Sequence, residues 1–492
     1  MVQLKGLLRA LPFVASALLA AQAFGREADM LALVGALLGN TPLVEDLREL
    51  TDEIGGRPTG SEANLKSVGW ALNKFSQAGV SARKEAFTMP RMWLERSVEA
   101  TVSGDVSFAP RAVSMPFSAA TPAEGVSAPL VDAGFGTEQD FARLGAKAQG
   151  AFALVETHEL LDVEGLFREY AEGVGTEQRA FAAGVAGVVY TSSRPKTLLY
   201  RHNASLGVDN KHPMLVMERQ HAGRILRLLR SGKQLSLTAK IDVQNGGPYE
   251  SFNVIGEIRG SERPDEIVLV GAHLDSWGLG TGANDNGCNV ALVIDVARQM
   301  KWLGIVPKRT IRFALWNGEE QGLIGSWRYT QAHLEEMERH VMAMSIDIGS
   351  GRITGFFTNG REELLPAVDL ALEPVRGLGP FENINAPIVG TDNYDFMMQG
   401  VANLVGNHAP YNYGPNYHAE SDTFDKVDLR QLRINAAIVA AVTYGFAEMD
   451  VTWRRQTRAE IEEFVRTTDL GDQMRSMGVW KSWEDGTRGR SK

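Results

Sequence analysis

The chain has 492 residues and a formal net charge of -10, with 44% hydrophobic and 22% charged residues. This balance is typical of a soluble globular protein, and the length exceeds what one compact core usually supports, so we expect two or three domains. The sequence contains no basic run long enough for a nucleic-acid footprint, which excludes nucleic acid as an expected partner.

The N-terminus has the pattern of an export signal. Lys5 and Arg9 precede an uncharged, mostly apolar run over residues 11–20, and residues 21–23 then offer small side chains at the positions that a signal peptidase reads. The run is too short to span a bilayer comfortably. We therefore predict a signal peptide over residues 1–23 and an exported protein, periplasmic or secreted, with no transmembrane anchor after cleavage. An uncleaved anchor is the alternative.

The first half of the chain combines helical segments with a glycine-rich, strand-containing region. Residues 42–85 are predicted to form helices that cover a core, separated by the turn at residues 55–61. A different pattern follows over residues 111–245, with frequent glycines, short helices, and short apolar strands such as residues 151–155 and 185–190. We predict that this region is a separate, smaller, β-rich domain inserted into the main one.

Strand-like and helix-like stretches alternate beyond residue 250. This alternation predicts an α/β domain with a mainly parallel sheet flanked by helices. The strand candidates are residues 267–270, 310–316 and 341–346, and the helix candidates are residues 288–303, about 320–340 and 434–450.

The predicted catalytic domain is discontinuous. It comprises residues 42–110 and 246–450, on either side of the inserted region. The remaining tail, residues 451–492, is charged and partly helical in its pattern. Its two tryptophans, Trp480 and Trp483, indicate that it docks onto the rest of the protein.

His273 and Asp275 follow the strand candidate at residues 267–270. Residues two apart in an extended chain point the same way, so Asp275 is placed to accept the imidazole proton that a metal does not displace. Such pairing fixes the tautomer of a ligating histidine and strengthens the ligand. A lone His-x-Asp is a weak signal by itself.

Asp285 lies beyond the glycine-rich loop at residues 278–282, where a helix begins. Glycines let the backbone pass close to a buried ion, which favours a ligand role for Asp285. A helix N-cap is the alternative, because Asp and Asn are favoured there, and Asn284 and Asn286 could serve equally.

Cys288 is the single cysteine of the chain, so an intrachain disulfide is excluded and the core must stabilise the fold without one. We expect a small buried residue that packs at the start of the helix. A redox-sensitive thiol is the alternative.

Glu319 and Glu320 follow the strand candidate at residues 310–316. Two adjacent carboxylates at a helix start gain from the helix dipole, which is one explanation. The other explanation is that the two carboxylates have different roles. One binds metal, and its neighbour carries a proton taken from a metal-bound water.

Asp347 closes the strand candidate at residues 341–346, and His418 lies in the polar loop at residues 417–423. Ligands in open α/β sheets bind beyond the carboxyl ends of the strands, so these side chains are expected at one site. Three carboxylates and a bridging hydroxide would balance two divalent ions, which limits the cost of burying them. Nitrogen and oxygen donors without a thiolate suit zinc, with manganese or cobalt as alternatives.

Three segments that contain these residues resemble the co-catalytic zinc aminopeptidase family, and within it the carboxypeptidase Q branch. They are Gly271–Trp277, Gly282–Gly287 and Asn317–Ser326, and the resemblance covers about residues 42–450. It implies a cis peptide between Asp285 and Asn286, and a protease-associated domain as the inserted region. The implied roles are one zinc on His273 and Asp347, a second on Glu320 and His418, Asp285 as the bridge, Glu319 as the base, and Asp275 orienting His273.

The loop at residues 411–417 departs from the carboxypeptidase Q pattern. Related aminopeptidases use a tyrosine near this position to polarise the substrate carbonyl. The resemblance makes Tyr417 the candidate, with Tyr411 and Tyr413 as alternatives, and leaves the substrate preference open.

The predicted function is a zinc-dependent exopeptidase, an aminopeptidase or dipeptidase that hydrolyses terminal bonds of small peptides, with two zinc ions per chain. The resemblance also indicates a homodimer. The alternatives are a non-catalytic receptor or scaffold with the same fold, which would have lost ligands, and a glutaminyl cyclase, which commonly works with one zinc.

Overall fold

The computed structural model describes residues 27–161, 163–201 and 210–491. The predicted signal peptide lies outside these residues. In the described ranges, no single helix is long and apolar enough to cross a membrane. One pair of helical segments meets that test jointly by length and composition, with a bend of 53° between them. It consists of Glu27–Leu38 and of Leu43–Ile54, in which an α-helix continues as a π-helix from Glu49.

Two seven-stranded sheets, joined and covered by helices, form the described part of the chain. The strands are β1 Ser81–Met89, β2 Met92–Gly104, β3 Ala112–Ser114, β4 Val126–Asp132, β5 Phe152–Val155, β6 Gly187–Thr191, β7 Met214–Met217, β8 Leu235–Gly246, β9 Tyr249–Ile258, β10 Arg263–His273, β11 Arg309–Trp316, β12 His340–Ser345, β13 Ile353–Phe357 and β14 Asn403–His408. The α-helices are α1 Glu27–Leu38, α2 Leu43–Arg48, α3 Glu62–Gln77, α4 Glu138–Leu144, α5 Val163–Ala182, α6 Arg219–Arg230, α7 Cys288–Trp302, α8 Ile324–Ala332, α9 Leu364–Leu372, α10 Asn393–Met398, α11 Tyr413–Asn416, α12 Leu429–Glu448, α13 Arg458–Thr467, α14 Leu470–Ser476 and α15 Trp480–Glu484.

The first sheet has the strand order β1-β9-β11-β10-β12-β14-β13. Strand β10 runs parallel to β11 and β12, and β12 runs parallel to β14. Strands β1, β9 and β13 pair antiparallel at the two edges. The predicted α/β sheet flanked by helices is confirmed, with its parallel pairings in the centre.

The central strands are buried on both faces. Along β10, Val268 and Val270 point into the core that α7 and α12 cover, whereas Ile267 and Leu269 point into the opposite cluster, which contains Tyr329 of α8. Strands buried in this way are continuously apolar, as expected of parallel strands between two helical layers. The sheet therefore presents the carboxyl ends of β10, β11 and β12 at one edge.

The second sheet has the order β2-β8-β4-β5-β6-β7-β3, and its strands lie between Met92 and Gly246. Strand β2 thus pairs within this sheet, ahead of residue 111, where the inserted region is predicted to begin. The division into domains stays a prediction. Apolar side chains of this sheet pack against Trp277, Leu279 and Ala419, which lie on loops of the first sheet.

The C-terminal tail docks as its tryptophans indicate. Trp483 is buried in a cluster with Leu323 and Tyr394, and Trp480 packs at its margin. Cys288 is buried at the start of α7, as expected, and burial raises the pKa of its thiol well above the usual value. A thiol in this state is unreactive, which favours the packing role.

Candidate active site

The carboxyl ends of three neighbouring strands supply most of the site. His273 is the last residue of β10, Glu320 follows β11 after a short turn, and Asp347 follows β12. Because β11, β10 and β12 are adjacent and parallel, their ends converge at one edge of the sheet. Asp285 precedes α7, and His418 follows α11 with a positive φ of 57°.

The five predicted ligands lie together and form two groups that share Asp285. In the first group, His273 and Asp347 accompany Asp285, and in the second Glu320 and His418 do so. Within each group the candidate ligand atoms lie within 4.8 Å of one another, and all five residues are buried.

Each histidine directs its Nε2 atom at carboxylate oxygens. His273 Nε2 lies 3.0 Å from Asp347 Oδ1 and 3.1 Å from Asp285 Oδ1. His418 Nε2 lies 2.8 Å from Glu320 Oε2 and 3.3 Å from Asp285 Oδ2. The arrangement therefore places a nitrogen and two carboxylates around each of two points.

The Nδ1 atoms of both histidines face backbone oxygens, at 3.0 Å from Asp275 O for His273 and 3.0 Å from Arg201 O for His418. A neutral imidazole that donates from Nδ1 has a lone pair on Nε2, which would repel the carboxylates unless a cation lay between them. Without a metal, a proton must take that place. Burial opposes protonation, but Glu320 and Asp285 raise the pKa of His418 to about 9.

The carboxylates also fit a cation. Glu320 Oε1 is buried and accepts no hydrogen bond from the described residues. Burial, with Asp285 adding to it, raises the pKa of Glu320 to about 7. Burial by itself would raise the pKa of Asp285. Hydrogen bonds from His273 and His418 outweigh burial and hold this pKa below its usual range. Buried oxygen and nitrogen donors without a thiolate match divalent cations such as zinc.

Asp275 makes contacts that differ from the prediction. Its carboxylate Oδ1 is 3.8 Å from His273 Nδ1, and the backbone oxygen of the same residue takes the hydrogen bond instead. Strand β10 ends at His273, so the chain turns and brings the carbonyl, not the side chain, within hydrogen-bond distance of Nδ1. The carboxylate accepts hydrogen bonds from Thr59 Oγ1 at 2.7 Å and Glu319 N at 3.3 Å. Asp275 therefore anchors the loop that carries Glu319 and orients His273 through its backbone.

Glu319 lies beside the ligands but belongs to neither group. Burial raises the pKa of its carboxyl well above the usual value, and the negative charges of Asp347, Asp392 and Glu320 act in the same direction. A carboxyl that is held close to the site without ligating is suited to carry a proton.

Residues 253–443 match the family model described as peptidase family M28. This chain carries a peptidase family M28 domain. The family predicted from the motifs is thereby confirmed. The cis peptide implied between Asp285 and Asn286 is also present.

Curated relatives extend the similarity over most of the chain. Carboxypeptidase Q of Mus musculus is 28% identical over 417 residues, which are 82% of this chain and 86% of the relative. The probable lipoprotein aminopeptidase LpqL of Mycobacterium tuberculosis is 26% identical and covers 84% of this chain and 85% of its own. A crystal structure of a peptidase M28 precursor from Shewanella amazonensis has a TM-score of 0.78 and 27% identity over 88% of this chain and 99% of its own. The zinc aminopeptidase BSAP from Bacillus subtilis shares the fold, with a TM-score of 0.66 and 22% identity over 84% of this chain and 96% of its own.

Two charged residues outside the sequence motifs, Arg57 and Asp422, support the M28 domain site. Arg57, fully buried, donates to the carbonyl oxygens of Leu274 at 2.5 Å, Thr281 at 2.8 Å and Gly282 at 2.9 Å. It thereby ties the segment after His273 to the glycine-rich loop. The sequence predicts the turn at residues 55–61, but a turn pattern gives no sign of a buried guanidinium.

Asp422 holds the backbone at the shared ligand. Its carboxylate accepts the N–H groups of Asn284 at 2.7 Å and Asp285 at 3.1 Å. Burial raises its pKa to about 7. Its only signal in the sequence is its place in the polar loop that contains His418.

Among the tyrosine candidates, Tyr417 is the one whose ring stacks on a ligand. Its ring stacks on His418 with centroids 3.7 Å apart and planes 24° apart, and its hydroxyl lies 2.6 Å from the hydroxyl of Tyr170 on α5. Tyr413 is buried, with its ring 5.4 Å from that of Tyr417, whereas Tyr411 is 42% exposed.

The second-sheet region, residues 92–201 and 210–246, holds the loop that contains His418, residues 417–423, in place. Arg201 N donates to His418 O at 3.0 Å, and Glu420 N donates to the oxygen of Leu199 at 2.9 Å, so the two segments pair like short antiparallel strands. Arg194 Nε donates to Tyr417 O at 2.8 Å. The site of the M28 domain is therefore completed by residues from outside it.

Proposed function

We propose that this protein is a zinc-dependent exopeptidase that binds two zinc ions per chain and hydrolyses terminal bonds of small peptides. The observation that carries the proposal is the position of Asp285, whose two carboxylate oxygens face different histidines. A carboxylate that serves two ligand groups at once is suited to bridge two cations. The names of the two relatives, a carboxypeptidase and a probable lipoprotein aminopeptidase, support peptide hydrolysis at chain ends.

The charge of the site supports two divalent cations. Asp285, Glu320 and Asp347 contribute three carboxylates, and both histidines would ligate in the neutral form. Burying these carboxylates without compensating charge would be costly. The donor set favours zinc, and the structurally similar BSAP is a zinc aminopeptidase. His273 and Asp347 would hold one ion and Glu320 and His418 the other, with Asp285 between them.

When bound, zinc lowers the pKa of water and withdraws electron density from a carbonyl group. Glu319 supplies the proton transfers. Its carboxylate accepts the proton that water loses on attacking the scissile carbonyl carbon. It then donates that proton to the nitrogen of the leaving amine as the C–N bond breaks, and so returns to its starting form. Asp275 fixes the loop for this role, because it accepts the Glu319 N–H.

Tyr417 is proposed to donate a hydrogen bond to the oxygen of the scissile carbonyl. A donor aimed at the position where negative charge develops stabilises the transition state more than the ground state. The stacking of Tyr417 on His418 supports this role, because it keeps the phenol next to a ligand of the proposed metal site.

A metal analysis combined with a substrate panel tests the proposed function. Zinc per chain would be measured in the purified protein, and hydrolysis compared for aminoacyl anilides, unblocked dipeptides and N-blocked peptides, with and without added zinc. We expect about two zinc ions per chain, as five ligands in two groups suggest, and turnover of substrates with free termini. A zinc-loaded protein that hydrolyses none of them would refute the proposal.

The same panel separates the alternatives. A scaffold would bind no zinc and hydrolyse nothing, and a glutaminyl cyclase would form pyroglutamate from N-terminal glutamine. Export to the periplasm or the medium and assembly as a homodimer stay predictions, which fractionation of cells and analytical ultracentrifugation test.

A further inference from the structure

Helix α5 belongs to the second-sheet region, yet one of its side chains reaches the candidate active site. Tyr170 lies 247 residues before Tyr417 in the chain, and their hydroxyl oxygens are 2.6 Å apart. This distance is that of a good O–H···O hydrogen bond. The contact joins α5 to the loop that carries His418.

The rest of Tyr417 is already fixed by other groups. Its ring stacks on the His418 imidazole, and its backbone oxygen accepts a hydrogen bond from Arg194 Nε. These contacts position the ring but leave the direction of the hydroxyl proton free to rotate. The Tyr170 hydroxyl is therefore the contact that decides where the Tyr417 proton points.

A pair of hydroxyl groups has two protons and forms only one hydrogen bond between its members. If Tyr170 donates, Tyr417 keeps its own proton for a third acceptor. A hydroxyl that accepts a hydrogen bond also becomes a stronger donor, because the bonds polarise one another. Burial raises the pKa of both hydroxyls well above the usual value, although the hydrogen bond with Tyr417 acts in the opposite direction on Tyr170, so both groups keep their protons and the pair has two to place.

We propose that Tyr170 is a positioning residue for peptide hydrolysis, whose hydroxyl donates to Tyr417 and directs the Tyr417 proton toward the substrate carbonyl oxygen. This inference rests on the proposed function. It makes α5 a part of the active site and explains why a helix of the second-sheet region lies against the loop of a metal ligand.

A double-mutant cycle tests the coupling. Tyr417→Phe is expected to lower kcat by about 100-fold, the loss typical of one oxyanion donor. Tyr170→Phe is expected to lower kcat by about 5-fold, the loss of one hydrogen bond, with KM little changed. In the Tyr417→Phe background, Tyr170→Phe should have no further effect, because it acts only through Tyr417. Additive losses, or an unchanged kcat in Tyr170→Phe, would overturn the proposal.

The matched control is Tyr190→Phe. Tyr190 lies on β6 of the second sheet, and its buried hydroxyl makes no hydrogen bond with the described residues. Removing it should leave kcat unchanged. A loss as large as that of Tyr170→Phe would indicate a general effect of buried hydroxyl removal and overturn the assignment.

A second readout needs no turnover. With 3-fluorotyrosine at position 417, the fluorine NMR resonance of the metal-free protein should shift in Tyr170→Phe and stay in place in Tyr190→Phe. An unshifted resonance in Tyr170→Phe would refute the pairing itself, whatever the activity. Absence of peptidase activity in the zinc-loaded wild-type protein would instead refute the proposed function, and with it the role of Tyr170 in turnover.

Discussion

The imidazole Nδ1 of His418 lies 3.0 Å from the backbone oxygen of Arg201, and this hydrogen bond joins a candidate metal ligand to the second-sheet region. The Arg201 side chain is itself fixed, since it donates to Glu95 Oε2 at 3.0 Å and to the Ser114 oxygen at 2.7 Å. The orientation of His418 therefore depends on an ion pair between a loop and strand β2.

We expect that Glu95→Gln weakens zinc binding by about 10- to 100-fold, because partners behind a ligand tune its affinity by this amount. Competition with a chromophoric chelator measures the loss. The control is Arg96→Met, on the same strand, which removes an exposed ion pair with Asp242 at 3.8 Å. Equal zinc affinity in Glu95→Gln and the wild type would show that the ion pair does not act on His418.

Glu319→Gln should separate metal binding from proton transfer. Because Glu319 belongs to neither ligand group, zinc content should stay at the wild-type level while kcat falls by about 100- to 10,000-fold, the range for one general acid–base group. Elemental analysis and steady-state kinetics on the same preparation measure both. Glu335→Gln, at an exposed position, is the control. Full activity in Glu319→Gln would refute the assigned base.

The metal-free protein should lose stability as the pH rises. The folded pKa values of His418, about 9, and Glu320, about 7, both lie above those of the unfolded chain, so the folded state holds protons that unfolding releases. Stability from such groups is complete below their unfolded pKa and is lost as pH rises through the folded value. We expect the Tm with chelator to fall between pH 7 and 9, where His418 loses its proton, because His340 and His408, whose pKa values burial lowers to about 3 and about 4, are by then neutral in both states.

Zinc should suppress this fall, because cations replace the protons between histidines and carboxylates. The zinc-loaded protein in the same buffers is thus the control for the pH series. A chelator-treated protein whose Tm is constant over this range would contradict the expected protonation of the empty ligand groups.

The docked C-terminal tail should contribute to stability through Arg488. Its guanidinium donates to both carboxylate oxygens of Asp395 at 2.7 Å, and both residues are buried. Arg488→Met would leave the Asp395 charge buried without its partner, which costs about 3–5 kcal/mol of unfolding free energy. Urea unfolding measures the change.

The control for the tail is Arg475→Met, which removes an exposed ion pair with Asp472 in the same segment. Its effect should stay below about 1 kcal/mol. The double variant Arg488→Met with Asp395→Asn should recover part of the loss, because the buried charge is then removed as well. A loss in Arg488→Met no larger than that in Arg475→Met would refute the importance of the pair.

The fold class and the identity of the side chains that gather at the site follow from the amino-acid sequence alone. Periodicity identified β10, β11 and β12, and parallel neighbours must end at one edge, so the residues after them converge whatever the details of packing. His273, Glu320 and Asp347 could be found in this way. The motifs around them then made Asp285 and His418 recognisable.

The groups that surround these ligands depend on how the sheets and helices pack together. The carbonyl of Asp275, not its carboxylate, meets the His273 ring, because the direction of the chain after β10 depends on packing that no local pattern encodes. The contact between Tyr170 and Tyr417 joins residues 247 positions apart. Contacts at such separation arise when sheets and helices dock, and the docking is set by the summed burial of apolar surface, which periodicity along one segment cannot reveal.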